Sequence, residues 1–337
     1  MENKKQLGQF MTTNYSKILQ NMKVPKDVLI VEPFCGNGDL LPFFQKTNPE
    51  PECYDIDPKK DYIIEQDTLK FPPVYTNKFI ITNPPYLARN KSPDKTIYDL
   101  YKQNDLYKCF IQSIINIPCI GGIIIIPLNF WCSIRKTDID LRKEFLKVYR
   151  IIHLNIFEEQ VFDDTGYTVC SFQFEFKKIP EKDLEFNASL FPSNKQLEIN
   201  IDSQMRLIGG EIYELENDKI FKVSRLTSKN ANSNYITDLK INCLDTPSKK
   251  ILLETTKDHF IDNTEKLSAR SFATLVIEPE LNLEQQEKLK QDFNEFLNEK
   301  RAKYNSLFLS GYRENDRKRI SFGLVFKIVE HLLSVKK

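Results

Sequence analysis

Four consecutive residues, Asn83-Pro84-Pro85-Tyr86, carry the strongest chemical signal in this sequence. Adjacent prolines fix φ and stiffen a turn, so the groups beside them are held in place. The Asn83 amide oxygen and the Pro84 carbonyl oxygen can both accept hydrogen bonds from a single NH2 group. An aryl amine is a poor nucleophile because its lone pair is delocalised into the ring. Two acceptors on its hydrogens draw the nitrogen toward tetrahedral geometry and localise that pair for attack. No cysteine nucleophile and no strong base are required. Tyr86 offers a π face to a planar base, and stacking contributes about 1–3 kcal/mol per base, comparable with the cost of extracting one from a duplex. The structural alternative is a proline-rich turn with a packed tyrosine.

Three further clusters precede this turn. Val31-Glu32-Pro33-Phe34-Cys35-Gly36-Asn37-Gly38 follows a predicted strand and opens a predicted helix, and its glycines let the backbone turn tightly and approach a ligand. Asp55-Ile56-Asp57-Pro58 ends the next strand, where a carboxylate can accept hydrogen bonds from both hydroxyls of a ribose. Gln66-Asp67-Thr68 follows the third strand and places a carboxylate where a nucleobase amino group could lie. Each acid alone could equally be a helix cap or a loop turn. Their place at the carboxyl ends of successive strands, the edge where such sheets bind ligands, favours a nucleoside site.

The elements that must position these residues alternate. Strands are predicted at 28–31, 53–56, 62–64, 79–82, 123–126, 151–156 and 167–176, with helices near Asp39, over 106–117 and around 141–148. Along 167–176, Cys170, Phe172, Phe174 and Phe176 share one face. Strand–helix repetition of this kind implies an α/β fold with a mostly parallel, doubly wound sheet. After residue 180 the texture changes to short β-rich pieces, such as 197–201 and 235–241, then helices over 283–303 and 322–333. A boundary near 180 therefore divides a first domain (1–180) from a second, smaller α+β domain (181–337).

Composition narrows the class. Apolar residues make up 41% of 337 and charged residues 28%, an ordinary globular balance. The start of the chain lacks a signal-peptide pattern and no apolar run is long enough to span a membrane, so a cytoplasmic protein, or a viral one acting inside a host cell, is expected. Seven dispersed cysteines without a Cys-x-x-Cys pair imply reduced thiols, and three scattered histidines give no metal-ligand spacing, so no metal site is predicted. Net charge is +1, but residues 301–337 hold nine basic and three acidic residues. Such a run is commonly a solvated surface and counts toward a phosphate contact only beside an independent nucleic-acid signal.

The assembled set resembles the amino-methyltransferases that act on N6 of adenine in DNA, the modification enzymes of restriction systems, and more narrowly their gamma group, typified by the TaqI methyltransferase. The resemblance covers residues 6 to about 178. It implies a Rossmann-like methyltransferase sheet, S-adenosyl-L-methionine as cofactor, and duplex DNA as partner. Gly8-Gln9-Phe10-Met11-Thr12 is similar to the N-terminal cofactor motif, with Thr13 where that family usually has proline. Glu32, Phe34, Gly36 and Gly38 match the methionine-binding loop, Asp55 and Ile56 the ribose and adenine contacts, and Asp67 and Thr68 a further adenine contact. Asn83, Pro84 and Tyr86 match the catalytic turn, with Asn83 and Pro85 also facing the cofactor. Asp105-Leu106-Tyr107 to Phe110 resembles the helix that follows, Tyr107 lining the cofactor. Gln160-Val161-Phe162-Asp163 aligns with the position of a second aromatic that stacks on the flipped adenine, so Phe162 is the candidate, with Tyr167 behind it.

Gly38 and Asn83 are separated by 44 residues, too few for a target-reading domain, which must then follow residue 180 as a target-recognition domain. Only about 25 residues precede the first strand, so the expectation is an enzyme that modifies without cutting, with a separate cognate endonuclease as a candidate partner and a monomeric state. Arg225, Lys229, Arg313, Arg317, Lys318 and Arg319 are the candidate DNA contacts, with arginine suited to guanine and lysine to phosphate. Competing readings are an RNA adenine-N6 methyltransferase, a protein glutamine N5-methyltransferase, and a non-catalytic nucleic-acid-binding subunit. The glutamine reading would carry a helical domain at the N-terminus, and a non-catalytic subunit would lack the glycine loop or Asn83.

Overall fold

The computed structural model describes residues 8, 10–48, 50–163, 166–178, 185–201, 206–246, 248–263, 271–309 and 318–335. The chain forms two compact units, Met1–Arg206 and Leu207–Lys337.

The first unit is built on one nine-stranded sheet. Its strands are β1 (Leu29–Glu32), β2 (Glu52–Asp55), β3 (Ile64–Glu65), β4 (Lys78–Thr82), β5 (Gly121–Pro127), β6 (Tyr149–Phe157), β7 (Val169–Phe176), β8 (Glu185–Phe191) and β9 (Lys195–Asn200), in the order β3-β2-β1-β4-β5-β7-β6-β8-β9. From β3 to β5 all pairings are parallel. β7 runs antiparallel between β5 and β6. The chain turns outward from β1 in both directions, so the crevice where a doubly wound sheet takes its ligand opens between β1 and β4. The alternation of strands and helices was legible in sequence. The boundary near 180 differs from the division at Arg206, because β8 pairs with β6 and β9 with β8, extending the first sheet past the change in texture.

Burial explains the strand sequences. Ile123 to Ile126 are fully buried, since β5 sits between β4 and β7 with both faces covered. Each such side chain contributes about 1.5–3 kcal/mol relative to exposure. Short helices α1 (Tyr15–Ile18), α2 (Leu41–Phe44) and α3 (Thr96–Tyr101) precede α4 (Leu106–Asn116), whose Tyr107, Phe110, Ile111 and Ile114 recur at helical spacing and are buried. α5 (Asn129–Cys132) and α6 (Lys136–Val148) bring Phe130, Trp131 and Phe145 against Phe172 of β7 in an aromatic core. The other face of β7 is also covered: Ser171 Oγ donates to Ile18 O at 2.6 Å, and Gln173 Oε1 accepts from the Lys23 N–H at 3.0 Å.

The second unit holds β10 (Lys222–Arg225), β11 (Ile236–Asn242), β13 (Leu252–Thr255) and β14 (Phe272–Glu278) in an antiparallel sheet of order β10-β14-β11-β13, beside a small ribbon of β12 (Leu244–Asp245) and β15 (Lys318–Arg319). α7 (Leu283–Tyr304) begins with a capping box in which Asn282 and Gln285 satisfy each other's backbone N–H groups. α8 (Phe322–Ser334) follows, its Ser321 cap accepting from Leu324 N. This is the α+β architecture expected. Among the described residues no helix is long and apolar enough to cross a membrane.

Candidate active site

The carboxyl ends of β1, β2 and β4 surround a cavity of about 300 Å³. Phe10, Thr12, Glu32, Phe34, Gly36, Asp55, Ile56, Asp67, Thr68, Asn83 and Pro85, all singled out from sequence, line it together. Gly38 shapes the loop without lining the cavity: its φ is +82°, and a Cβ there would stand 2.6 Å from the Tyr62 hydroxyl. Hydrogen bonds tie the three strand-end loops into one wall. Asp55 Oδ2 accepts from the Gly36 N–H at 2.7 Å and its Oδ1 from the Asp57 N–H at 2.9 Å. Thr68 Oγ1 donates to Pro33 O at 2.9 Å. Asp67 Oδ1 accepts from the N–H groups of Leu69 and Lys70, both at 3.1 Å, so this acid also makes the local turn. Asp55 retains lone pairs for a ligand, since each carboxylate oxygen accepts more than one hydrogen bond.

The lining is strongly anionic. Among the described residues that line it, Glu32, Asp39, Asp55, Asp57, Asp67 and Asp94 face one cation, Lys59. Burial, then the neighbouring Cys53, Asp39 and Asp55, push the Glu32 carboxyl well above the usual carboxylate range. Its Oε2 is buried without a hydrogen-bond partner. A cavity of this kind favours a positively charged ligand, which would relieve both the repulsion and the unpaired oxygen.

The proline turn is pinned from the other side by an N-terminal strap that includes Gly8 and residues 10–12. Asn83 Nδ2 donates to Phe10 O at 3.1 Å and to Thr12 Oγ1 at 3.0 Å. Both amide hydrogens are thereby used, which fixes which way Asn83 Oδ1 points. The Tyr86 N–H donates to Gly8 O at 2.8 Å. Gly8 has φ +69°, and a Cβ would meet the Tyr86 carbonyl oxygen at 2.5 Å, so only glycine allows the approach. The Tyr86 hydroxyl, held protonated by burial, lies within reach of two acceptors, Asn83 Oδ1 at 2.5 Å and Ile125 O at 2.9 Å. Thr12 is itself oriented by its N–H, which donates to Asp39 Oδ2 at 3.1 Å.

Pro84, Tyr86, Phe162 and Tyr107 do not line the cavity. Tyr86 is 6% and Phe162 2% exposed. The Phe10 ring packs against both, at 5.2 Å from Tyr86 and 6.1 Å from Phe162, with Tyr167 edge-on at 6.1 Å. Tyr107, expected against the cofactor, stands one layer back, edge-on to Tyr86 at 6.0 Å, while its neighbour Leu106 reaches the cavity. Sequence reasoning also missed Asp39, which holds Thr12, and the segment after the turn, whose Ser92, Asp94, Ile97 and Tyr98 form the opposite wall. That segment carries no motif, and only the packing of α3 beside α4 brings it over the cavity.

The expected DNA contacts divide in the second unit. Arg225 forms a buried ion pair with Asp262 at 2.7 Å and lies over the Phe322 ring at 5.2 Å. Lys318 is 3% exposed within β15, beside Arg319. Lys229 is exposed, in the turn that Thr227 and Asn230 cap. Arg313 and Arg317 lie outside the described residues.

The fold and cavity define a class of protein: a doubly wound α/β chain with an anionic nucleoside-type cleft at the ends of β1, β2 and β4. Residues 43–162 match the family model of the Eco57I restriction-modification methylase, which bears out the resemblance to restriction-modification methyltransferases and makes S-adenosyl-L-methionine the expected cofactor. Solved structures similar to the chain include a modification subunit of a putative type I restriction enzyme from Vibrio vulnificus YJ016 (14% identity, 61% of this chain and 52% of that one, TM-score 0.42). A putative class I S-adenosylmethionine-dependent methyltransferase from Listeria monocytogenes matches at 16% identity over 53% of this chain and 65% of that one, with a TM-score of 0.39. The DrdV–DNA complex matches at 17% identity over 70% and 34%, with a TM-score of 0.42. The chain spans about half the length of the first of these structures. No curated protein matches it.

Proposed function

We propose that this protein is a DNA methyltransferase that transfers a methyl group from S-adenosyl-L-methionine to N6 of an adenine rotated out of the duplex. The observation that carries the reading is the Asn83 amide, whose two hydrogens are committed to Phe10 O and Thr12 Oγ1, so that its oxygen is a fixed acceptor beside the cavity. The family match to a restriction-modification methylase supports the same class of reaction.

The anionic cavity fits the cofactor, which is cationic at its sulfonium and ammonium groups. Glu32 and the Gly36 loop would hold the methionine end, Asp55 the ribose, and Ile56, Asp67 and Thr68 the adenine. When bound it supplies an electrophilic methyl group. The protein's part is to place the amine. On arrival the target NH2 takes over Asn83 Oδ1, and the Tyr86 hydroxyl turns its proton to Ile125 O, the second acceptor already within 2.9 Å. The Pro84 carbonyl accepts the other amine hydrogen. Held by these two acceptors, the amine nitrogen would keep its lone pair localised and turned toward the part of the cavity where Glu32, Asp55 and Asp67 would hold the methyl donor.

For the base to lie between Tyr86 and Phe162, the Phe10 ring must leave. Its backbone carbonyl holds Asn83, so the side chain swings while the strap stays in place. The second unit serves as the target-recognition domain in this reading, with Lys229, Arg313 and Arg317 as its phosphate or base contacts.

Labelled-methyl transfer to duplex DNA, RNA and protein in parallel tests the reading. Label should enter duplex DNA as N6-methyladenine, and Asn83→Ala should abolish most turnover while binding cofactor normally. Label appearing in RNA or protein but not in DNA would overturn the substrate, and near-normal turnover by Asn83→Ala would overturn the mechanism.

A further inference from the structure

Metal-ligand spacing is missing from the sequence, yet the fold gathers one carboxylate and two thiols at the end of β1. A carboxylate oxygen of Glu32 and the sulfurs of Cys35 and Cys53 all lie within 4.8 Å of one another. Strand register brings them there. Glu32 is the direct partner of Cys53 across β1 and β2. The Cys35 N–H donates to Tyr54 O at 2.8 Å, which folds the glycine loop back over β2. All three side chains are buried, and Glu32 Oε2 has no hydrogen-bond partner. An unpaired buried carboxylate oxygen is costly and marks a place where a cation would be stabilising.

We propose that Glu32, Cys35 and Cys53 form a three-donor site for a soft divalent cation of the zinc class, whose occupancy competes with the cationic ligand of the cavity. Zinc–sulfur bonds of about 2.3 Å and zinc–carboxylate bonds of about 2.0–2.2 Å place neighbouring donors of a tetrahedron roughly 3.3–3.8 Å apart. The present donors, all within 4.8 Å of one another, must draw about 1 Å closer at most to meet this geometry. Glu32 and Cys35 line the cavity and Cys53 lies behind them, so the fourth position faces the cavity, where water completes the shell. Two thiolates and one carboxylate select zinc or cadmium over magnesium or calcium, which prefer all-oxygen sites. As the metal–sulfur bonds form, each thiol gives its proton to solvent, and no electron changes hands. The metal site stands on geometry alone; its competition with S-adenosyl-L-methionine rests on the methyl-transfer reading, because Glu32 serves both.

Titration of the chelator-stripped full chain with cadmium, followed by the ultraviolet cadmium–thiolate charge-transfer band, tests this. One saturable site is expected, with protons released as the two thiols, and any protonated Glu32 carboxyl, ionise onto the metal. Cys35→Ala and Cys53→Ala should each lose the band and weaken binding by more than the about 100-fold that a disturbed outer shell costs. Cys243→Ala, a buried thiol of the second unit, should keep it. X-ray absorption of the zinc-loaded wild-type protein, which needs no variant to fold, should show two sulfur ligands and two oxygen ligands. No saturable band, a band that survives Cys53→Ala, or a sulfur count other than two would overturn the site. Zinc should weaken S-adenosyl-L-methionine binding in the wild type and not in Cys53→Ala. Cofactor binding indifferent to zinc overturns the competition, whereas a protein that binds no cofactor faults the methyl-transfer reading and leaves the spectroscopic result standing.

Discussion

The rings of Phe10 and Phe162 stand 6.1 Å apart with their planes 28° from parallel, and Tyr86 touches the same Phe10 ring at 5.2 Å. In the proposed reading, Phe10 thus holds the place the target base would take. An aromatic contact of this kind is worth about 0.5–1.5 kcal/mol, so its displacement should weaken substrate entry by roughly 2- to 10-fold. Phe10→Ala is expected to lower KM for DNA by that factor, with cofactor affinity little changed. A KM that stays the same or rises would show that the ring does not compete with the base.

Thr12 acts through Asn83. Its hydroxyl is one of the two acceptors that orient the amide, and the net worth of such a bond is about 0.5–1.5 kcal/mol. Thr12→Val should lower kcat by roughly 2- to 10-fold and leave KM for the cofactor nearly unchanged, while Thr12→Ser restores the rate. A variant that loses only cofactor affinity would place Thr12 in cofactor binding alone.

Asp55 holds the Gly36 loop and the Asp57 turn through charge-assisted bonds. Hydrogen bonds to a charged group contribute about 1.5–3 kcal/mol each. Asp55→Asn keeps the shape but inverts one donor–acceptor pair, so calorimetry should show cofactor affinity reduced by more than about 10-fold, the scale of one such bond. Unaltered affinity would mean that the carboxylate shapes the loop without meeting the ligand.

Arg225, with its guanidinium over the Phe322 ring, pairs with the buried Asp262. Removing one partner of a buried pair costs about 3–5 kcal/mol because the other charge is left unsatisfied. Arg225→Ala should lower the denaturation midpoint accordingly, and replacing both residues by leucine should recover much of the loss. If Arg225 instead reads DNA, the single change would weaken DNA binding without moving the midpoint.

Asp105 stands at the N-cap position of α4 without a side-chain cap bond, one oxygen sealed from solvent and unpartnered, and burial raises its pKa from 3.8 to about 7. Between those two values the folded state binds the proton that the unfolded state has released. Its contribution to stability is therefore complete below pH 3.8 and is lost as pH rises through about 7. Asp105→Asn should flatten the fall in stability across that interval. An identical pH dependence in the variant would mean that Asp105 titrates normally.

The cofactor side of the site was legible in sequence because its residues are local. Asp55 ends a strand and Gly36, Asp67 and Asn83 closely follow one, and parallel strand–helix alternation has few topologies, so all four meet at one sheet edge. The Asn83-Pro84-Pro85-Tyr86 turn stood out in sequence because two prolines beside an asparagine fix a turn at a strand end. Periodicity located the strands, and could not show that β8 and β9 belong to the first sheet, since strand pairing is a contact between distant segments.

Tertiary structure decided the rest, for one physical reason: hydrogen-bond partners and ring contacts are chosen by space and not by spacing. Thr12 orients Asn83 across 71 residues. Phe10, which reads as a cofactor residue, lines the cavity and also fills the aromatic slot, and Arg225, which reads as a DNA contact, pairs with Asp262. Cys35 and Cys53 follow no metal motif and meet Glu32 only because β1 and β2 pair in that register. The amino-acid sequence by itself set the chemistry available at the sheet edge; the fold determined which groups are held, which are covered, and which face an open cavity.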